Sequence, residues 1–239
     1  MASQVKSFES PSAVRYLRVE VPPAATPWRD ASFSAIDFET TGLDPASDEI
    51  ISFATVTVAF GRVSLADARY KLVRPKHMPA GETIRIHGLR ETDLSQAPPL
   101  SEVLDELLDS ITGRALIAHV AAIEAGFLDA ALGRRGLRLR NPVVDTAALA
   151  KELRRRQRRP AIRQPVGLSD LARSLHLPVH RPHQADGDAL TTAQVFLALA
   201  THLDRFKPQT VGSLERLSRP RGWASLPQKL RGLARPASR

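Results

Sequence analysis

Three strand patterns followed by an alternation of strands and helices constrain the fold of this chain more than any other feature. Short β-branched and apolar runs predict strands, whereas apolar residues spaced three and four apart predict amphipathic helices. The predicted strands are Phe33–Phe38, Glu49–Phe60, Ala68–Val73, Ala115–Ala118 and Val143–Asp145. The predicted helices are Leu100–Ile111, Ala122–Leu132, Thr146–Gln157, Leu168–Leu175 and Ala189–Leu203. This order is typical of an α/β fold with a mixed five-stranded sheet and helices on both faces.

The two ends of the chain lack this periodicity. Residues 1–30 end in a proline-rich stretch, and prolines interrupt the basic segment after the last predicted helix. We therefore expect an N-terminal extension over 1–30, one domain over 31–203 and a flexible basic tail over 204–239. The chain has no cysteine, which excludes disulfides and thiolate metal sites. It also lacks a signal-peptide pattern and an apolar run of roughly 18–20 residues, so we expect a cytoplasmic protein with no membrane partner.

The net charge of +9 is unevenly distributed along the chain. Residues 134–163 hold eleven Lys and Arg against two acids, and residues 205–239 hold nine against one. The remainder of the chain is therefore acidic, which suggests bound cations, while the basic segments suggest a polyanionic partner held by phosphate contacts. Charge alone leaves two interpretations open, a nucleic-acid partner and an ordinary solvated surface.

Four carboxylates and one histidine fall where the predicted topology can bring them together. Asp37 and Glu39 lie on one face at the end of the first strand, and Glu124 lies early in the second helix. Asp188 precedes the last helix, and His183 lies five residues before it. Each of these residues taken alone is commonplace in a structural role such as helix capping. Together they suit hard divalent cations such as Mg²⁺ or Mn²⁺, and a histidine beside two such ions can accept a proton from attacking water.

Three motifs carry a resemblance to a known family: Phe33–Leu43 (FSAIDFETTGL), His119–Phe127 (HVAAIEAGF) and His183–Thr192 (HQADGDALTT). Shorter matches lie at Leu72–Pro75, Ile86–Leu89 and Val143–Thr146. In this order and spacing the motifs resemble those of the DEDDh 3′–5′ exonucleases, which include the epsilon proofreading subunit of bacterial DNA polymerase III. The resemblance covers residues 31–203 and implies a ribonuclease H-like exonuclease fold.

The resemblance also implies roles for individual residues. Two Mg²⁺ or Mn²⁺ ions per site would be held by the four carboxylates of Asp37, Glu39, Glu124 and Asp188. Asp37 would bridge both ions. His183 would be the general base. The pocket for the terminal nucleotide of a free 3′ end would be lined by Thr40, Gly42, Leu43 and His87. The implied substrate is nucleic acid with a free 3′ end, preferably single-stranded. DNA is favoured over RNA, and proofreading, repair and RNA trimming all stay open as the process served. A DNA polymerase and a sliding clamp are the candidate protein partners.

Two residues depart from the family pattern. Glu124 stands where the family has Asp, which moves the carboxylate outward by roughly 1.5 Å, and Val120 stands where the family has Asn. A displacement of this size can cost about 10²-fold in rate. The sequence therefore leaves two interpretations, an active metal-dependent exonuclease and a catalytically weakened nucleic-acid-binding or polymerase-associated scaffold module. Asp186, between His183 and Asp188, is a spare acid that either faces solvent or assists a metal.

Overall fold

A mixed five-stranded sheet with the strand order β3–β2–β1–β4–β5 runs through the centre of the molecule. The computed structural model describes residues 10–78, 88–160 and 166–219. The strands are β1 (Ser32–Thr40), β2 (Ile50–Ala59), β3 (Arg62–Leu72), β4 (Ala115–Ala118) and β5 (Val143–Asp145). The first three strands form an antiparallel meander, and β4 and β5 run parallel to β1. The predicted mixed α/β sheet is therefore confirmed.

Helices cover both faces of this sheet. In the described part of the chain they are α1 (Pro11–Arg18), α2 (Glu91–Ser95), α3 (Leu100–Ile111), α4 (Ala122–Gly133), α5 (Thr146–Arg156), α6 (Leu168–Ser174), α7 (Ala185–Asp204) and α8 (Val211–Ser218). None of these helices combines the length and the apolar character that a membrane span requires.

Two apolar clusters fill the space between the sheet and the helices. On one face, Phe33 and Ala54 pack against α7, where Phe196 lies 4.8 Å from the ring of Phe33. On the other face, Ile36 and Phe53 pack with α1, α3 and α4. Alternation along β1 sends successive side chains to these two clusters, and burial of both provides the main favourable term in folding. The carboxyl end of β1 is left between the two layers, where polar side chains replace the apolar ones.

Short helices lie inside the segments that were expected to be an extension and a flexible tail. Helix α1 begins at the cap Ser10, and its Tyr16 is buried and donates a hydrogen bond to Asn141 Oδ1 at 2.8 Å. Helix α8 buries Val211 and Leu214 against the domain. The expectation of a linker and of a tail from residue 204 is thus wrong for these two helices, because eight residues are too few for a clear period. The predicted domain limits otherwise stay a prediction.

Candidate metal centre

Three carboxylates meet at the carboxyl end of β1. Asp37 and Glu39 point to the same face of the sheet because they are two residues apart, and they lie opposite Ala54 and Ser52 of β2. Asp188 approaches them from the first turn of α7, which begins at Ala185 and not at Ala189 as predicted. Carboxylate oxygens of Asp37, Glu39 and Asp188 all lie within 4.8 Å of one another. This spacing brings three acidic ligands together around a volume that one cation can occupy.

Glu124 adds a fourth carboxylate beside this group. It lies in the first turn of α4, is 7% exposed, and its Oε2 has no hydrogen-bond partner among the described residues. A buried carboxylate oxygen without a partner is costly, and a cation would satisfy it. The donor set consists of carboxylate oxygens, which suits hard divalent cations. The residues therefore fit a metal site, although Glu124 lies outside the group whose oxygens come within 4.8 Å.

Burial and mutual repulsion raise the pKa values of the clustered acids. Burial, followed by the charges of Glu124, Asp188 and Glu39, raises the pKa of Asp37 well above its usual range. Burial and then Asp188 raise the pKa of Glu39 to about 7. Burial raises the pKa of Glu124 to about 8, with further contributions from the charges of Asp145 and Glu39. Without a cation, the cluster therefore holds protons at neutral pH.

These shifts predict that the metal-free protein loses stability as the pH rises from about 5 to 8. The folded pKa values of Glu39 and Glu124 lie above the ordinary value of 4.5, so the folded state binds more protons than the unfolded state in this range. Divalent metal binds the deprotonated carboxylates, so the rise in Tm on adding Mg²⁺ or Mn²⁺ should be larger at pH 8 than at pH 6. Thermal melts in EDTA and in metal at both pH values check this.

Glu124→Gln is the matched control for this pH dependence. The neutral amide cannot titrate, so the fall of Tm in EDTA between pH 6 and 8 should become smaller in the variant. A metal-free Tm that rises over this range, or one with the same slope in the variant, would contradict the assignment of these pKa shifts.

His183 lies beside Asp188 in the loop before α7. Its backbone N–H donates to Asp188 Oδ2 at 2.9 Å, and its side chain is exposed. His183 adopts a left-handed conformation with φ of 60°, and Arg181 in the same loop also has a positive φ, of 28°. The loop therefore holds His183 next to Asp188 through its backbone. Its role as a general base stays a prediction.

The residues expected to hold the terminal nucleotide lie in the segment that leaves β1. Thr40 is the last residue of β1, and its hydroxyl donates to the carbonyl oxygen of Gly42. The side chain of Leu43 is 72% exposed, so an apolar surface is available beside the cluster. His87 lies outside the described residues. Binding of a nucleotide by this segment remains a prediction.

The second motif braces the start of α4. His119 Nδ1 lies 2.9 Å from Thr146 Oγ1, and His119 Nε2 lies 2.9 Å from the carbonyl oxygen of Val166. Burial lowers the pKa of His119, which favours the neutral ring. The backbone N–H of Val120 donates to Asp145 Oδ1 at 3.1 Å. These bonds fix the turn from which Glu124 projects.

Val120 adopts a left-handed backbone conformation with φ of 59°, which is unfavourable for a β-branched residue. The family's Asn tolerates this conformation much better. We therefore expect Val120→Asn to raise the free energy of unfolding by about 1 kcal/mol. Urea unfolding at equilibrium measures the change. Val120→Ala is the control, since alanine removes the β-branch but lacks the polar side chain that favours this conformation, and it should stabilise the protein less than Val120→Asn does.

Sequence reasoning missed Asp145 and Tyr70 near the cluster and left the role of Asp186 open. Asp145 caps α5 by accepting from Ala147 N at 2.9 Å, and its charge raises the pKa of Glu124. Asp145 is the last residue of the predicted strand Val143–Asp145, so the sequence already placed this acid at the carboxyl end of β5. Asp186 is ion-paired with Arg181, so its carboxylate is engaged and does not simply face solvent. Tyr70 lies opposite Ala54 on β3, and burial raises its pKa, with further contributions from the charges of Asp186 and Glu39.

Comparisons with known proteins bear on this site. The sequence profile of the RNase_T family, described as Exonuclease, matches residues 34–196. The DNA polymerase III PolC-type protein of Thermotoga maritima is 32% identical over 189 residues, which cover 79% of this chain and 13% of that protein. A DNA polymerase III subunit epsilon-like protein of Rhodobacter capsulatus is 31% identical over 196 residues, which cover 80% of this chain and 27% of that protein. The chain thus matches less than a third of the length of these relatives.

Two solved structures share the fold of this chain. Exonuclease X in complex with 5′ overhanging duplex DNA superposes with a TM-score of 0.59 at 22% identity and covers 78% of this chain and 99% of that chain. E. coli Exonuclease I in complex with a dT13 oligonucleotide superposes with a TM-score of 0.63 at 14% identity and covers 74% of this chain and 42% of that chain. The likeness confirms the predicted ribonuclease H-like exonuclease architecture.

Proposed function

Because the chain belongs to the RNase_T exonuclease family, we propose that it removes nucleotides from the 3′ end of a nucleic acid by metal-dependent hydrolysis. The observation that carries this proposal is the convergence of Asp37, Glu39 and Asp188 within 4.8 Å, beside the unpartnered carboxylate of Glu124. A purely structural acidic cluster would be expected to have basic partners, whereas these acids mainly repel one another. The cluster instead fits a centre that is completed by cations.

In the proposed reaction each residue has a distinct task. Two Mg²⁺ or Mn²⁺ ions would be held by the four carboxylates of Asp37, Glu39, Glu124 and Asp188. When bound, such ions lower the pKa of water and stabilise the leaving oxygen of a phosphodiester. An imidazole nitrogen of His183 accepts the proton of the attacking water, since this residue is exposed and its backbone N–H is bonded to Asp188. The 3′-terminal nucleotide is contacted by Thr40, Gly42 and Leu43, and His87, outside the described residues, is kept as a further candidate for this contact.

The proposed substrate is single-stranded DNA. Both solved structures named above were determined with DNA, and two of the curated relatives are DNA polymerase III proteins. By the same reasoning a DNA polymerase is the proposed protein partner, with a sliding clamp as a second candidate, and the cytoplasm is the proposed location. Repair and proofreading both require the removal of nucleotides from a 3′ end, and either would use this chemistry.

A digestion assay on end-labelled oligonucleotides tests the proposal. Single-stranded DNA and RNA of the same sequence are incubated with Mg²⁺, Mn²⁺ or EDTA, with the label at the 5′ end. We expect stepwise shortening of DNA from its 3′ end in either metal, weaker shortening of RNA, and none in EDTA. If neither strand is shortened although both bind, the weakened scaffold interpretation would replace the proposal.

Reversion of Glu124 to the family residue separates the two interpretations. Glu124 is buried at the start of α4, where its carboxylate is close enough to raise the pKa of Asp37. If this placement already serves the metals, Glu124→Asp should change the DNA digestion rate by less than about 10-fold in either direction. A gain of about 10²-fold or more would instead show that the natural chain is a weakened enzyme.

A further inference from the structure

A cleft of about 690 Å³ opens at the end of the sheet opposite the carboxylates. It lies beside the turn between β2 and β3 and the start of β4, and its lining includes Arg62, Asp67 and Arg114. Ser32, at the start of β1, also lines it. Asp37 is five residues further along the same strand, which corresponds to about 17 Å. The cleft is therefore separate from the candidate metal centre.

Arg114 is the main charged group of this cleft. Its guanidinium is half-buried, and Nη1 donates to Thr57 Oγ1 at 3.0 Å and to the carbonyl oxygen of Ser110 at 2.8 Å. Both acceptors are neutral, and no described carboxylate lies within 4.0 Å of its nitrogens. By contrast, the partly buried Arg135 and Arg156 each contact a carboxylate. Asp67 acts on this half-buried cation without forming an ion pair with it, and a bound anion would compensate the charge further.

The charges near this cleft are three guanidinium groups, of Arg62, Arg69 and Arg114, and one carboxylate, of Asp67. Burial lowers the pKa of Arg114, Asp67 opposes this change, and the positive charge of Arg69 adds to it. Arg62 brings a further guanidinium to the cleft, and the hydroxyl of Ser64 is a potential hydrogen-bond donor. Asp67 is the one acid in the lining. Phe60, at the rim, is 80% exposed and offers an apolar surface next to these polar groups.

We propose that this cleft is a phosphate-binding site, occupied by a phosphate group that is free or is carried by a nucleotide or a nucleic-acid strand. Arg114 and Arg62 bind the phosphate oxygens, since guanidinium groups match phosphate geometry with paired N–H donors. Ser64 donates a further hydrogen bond, and Phe60 covers the base when the phosphate belongs to a nucleotide. This site lies outside the proposed reaction and does not depend on it.

Binding measurements in EDTA test the proposal, because the metal-free carboxylate cluster repels anions and leaves the cleft as the expected site. Inorganic phosphate, thymidine 5′-monophosphate and a short single-stranded DNA are titrated separately into the full chain by calorimetry. Saturable binding is expected for at least one of these probes. Equal affinity for all three would identify free phosphate as sufficient, whereas tighter binding of the nucleotide or the strand would assign a role to Phe60.

Variants that change the charge of the cleft in opposite directions make the test specific to this site. Arg62→Ala should weaken binding about 3-fold and Asp67→Asn should tighten it by a similar factor, because each changes one charge near the phosphate. Arg114→Gln should weaken binding about 10-fold or more. If this variant does not fold, the variants at the exposed residues Arg62 and Asp67 still decide the test. Arg173→Ala, on an exposed helical residue paired with Asp170, is the control. No saturation up to about 10 mM, or an affinity that neither Arg62→Ala nor Asp67→Asn alters, would overturn the proposal.

Discussion

Asp37→Asn should abolish metal-dependent nuclease activity and, at the same time, stabilise the metal-free protein. Burial raises the pKa of Asp37 well above its usual range, and repulsion by three other acids, Glu124, Asp188 and Glu39, adds to the rise. Asparagine keeps the shape of the side chain but removes the charge that would bridge the ions. We expect a loss of about 10³-fold in the rate of 3′-end digestion, since one preorganised charged group at a reacting centre typically accounts for 10²–10³-fold.

The opposite sign of the two effects distinguishes a metal ligand from a structural residue. Digestion rates in Mg²⁺ and Mn²⁺, together with Tm in EDTA at pH 8, measure both effects on the same preparation. Asp170→Asn is the matched control, because Asp170 is exposed and paired with Arg173 away from the cluster, and neither quantity should change. A variant that digests DNA at the natural rate, or that loses metal-free stability, would show that Asp37 is not held against other charges at a metal centre.

Gly187→Ala should both destabilise the fold and impair catalysis. A Cβ atom at this position would lie 2.3 Å from the carbonyl oxygen of His180 and 2.6 Å from that of Arg181. Both oxygens belong to the backbone, so no side-chain rotation relieves the clash, and the loop must move away from α7. Overpacking of this kind costs about 1–3 kcal/mol or more. The same movement carries His183 away from Asp188, so activity should fall more than the loss of folded protein explains.

Urea unfolding and digestion rates under conditions where the variant is folded separate these two effects. Gly133→Ala provides the control, since it is also a helical glycine but has no atom within 4 Å of an added Cβ. That control should be neutral or stabilise by about 0.5–1 kcal/mol, because alanine has the higher helix propensity. Equal stability of Gly187→Ala and Gly133→Ala would refute the close approach of the loop to α7.

The sequence predicts those parts of the molecule that depend on short-range periodicity. The two-residue spacing of Asp37 and Glu39 fixes their common face as soon as β1 is recognised, and the order of strands predicts the mixed sheet. The spacing of His183 and Asp188 likewise predicts a loop that leads into a helix. In these cases the local pattern and the tertiary structure agree, so the fold and the family could be predicted without coordinates.

The remaining features depend on tertiary contacts that no local pattern encodes. The left-handed conformation of Val120 arises because its N–H must reach Asp145, which is 25 residues away. The pairing of Asp186 with Arg181 follows from the strained loop before α7. Nothing in the sequence distinguishes Arg114 from other surface arginines. Its half-buried position beside Thr57 arises because β2 and β4 both lie next to β1 in the sheet. Contacts between residues that are not adjacent in the sequence determine each of these positions.

The bond between α8 and β5 has a consequence for how substrate is captured. Ser218 Oγ accepts the backbone N–H of Asp145 at 2.8 Å, and Asp145 lies close enough to Glu124 to raise its pKa. The chain after residue 219 is therefore anchored close to the edge of the sheet that carries the acids, and residues 220–239 include five Lys and Arg and no acid. These five cations thus join the domain, through residue 219, on the side where the acids lie, and the strength with which they attract a polyanion depends on ionic strength.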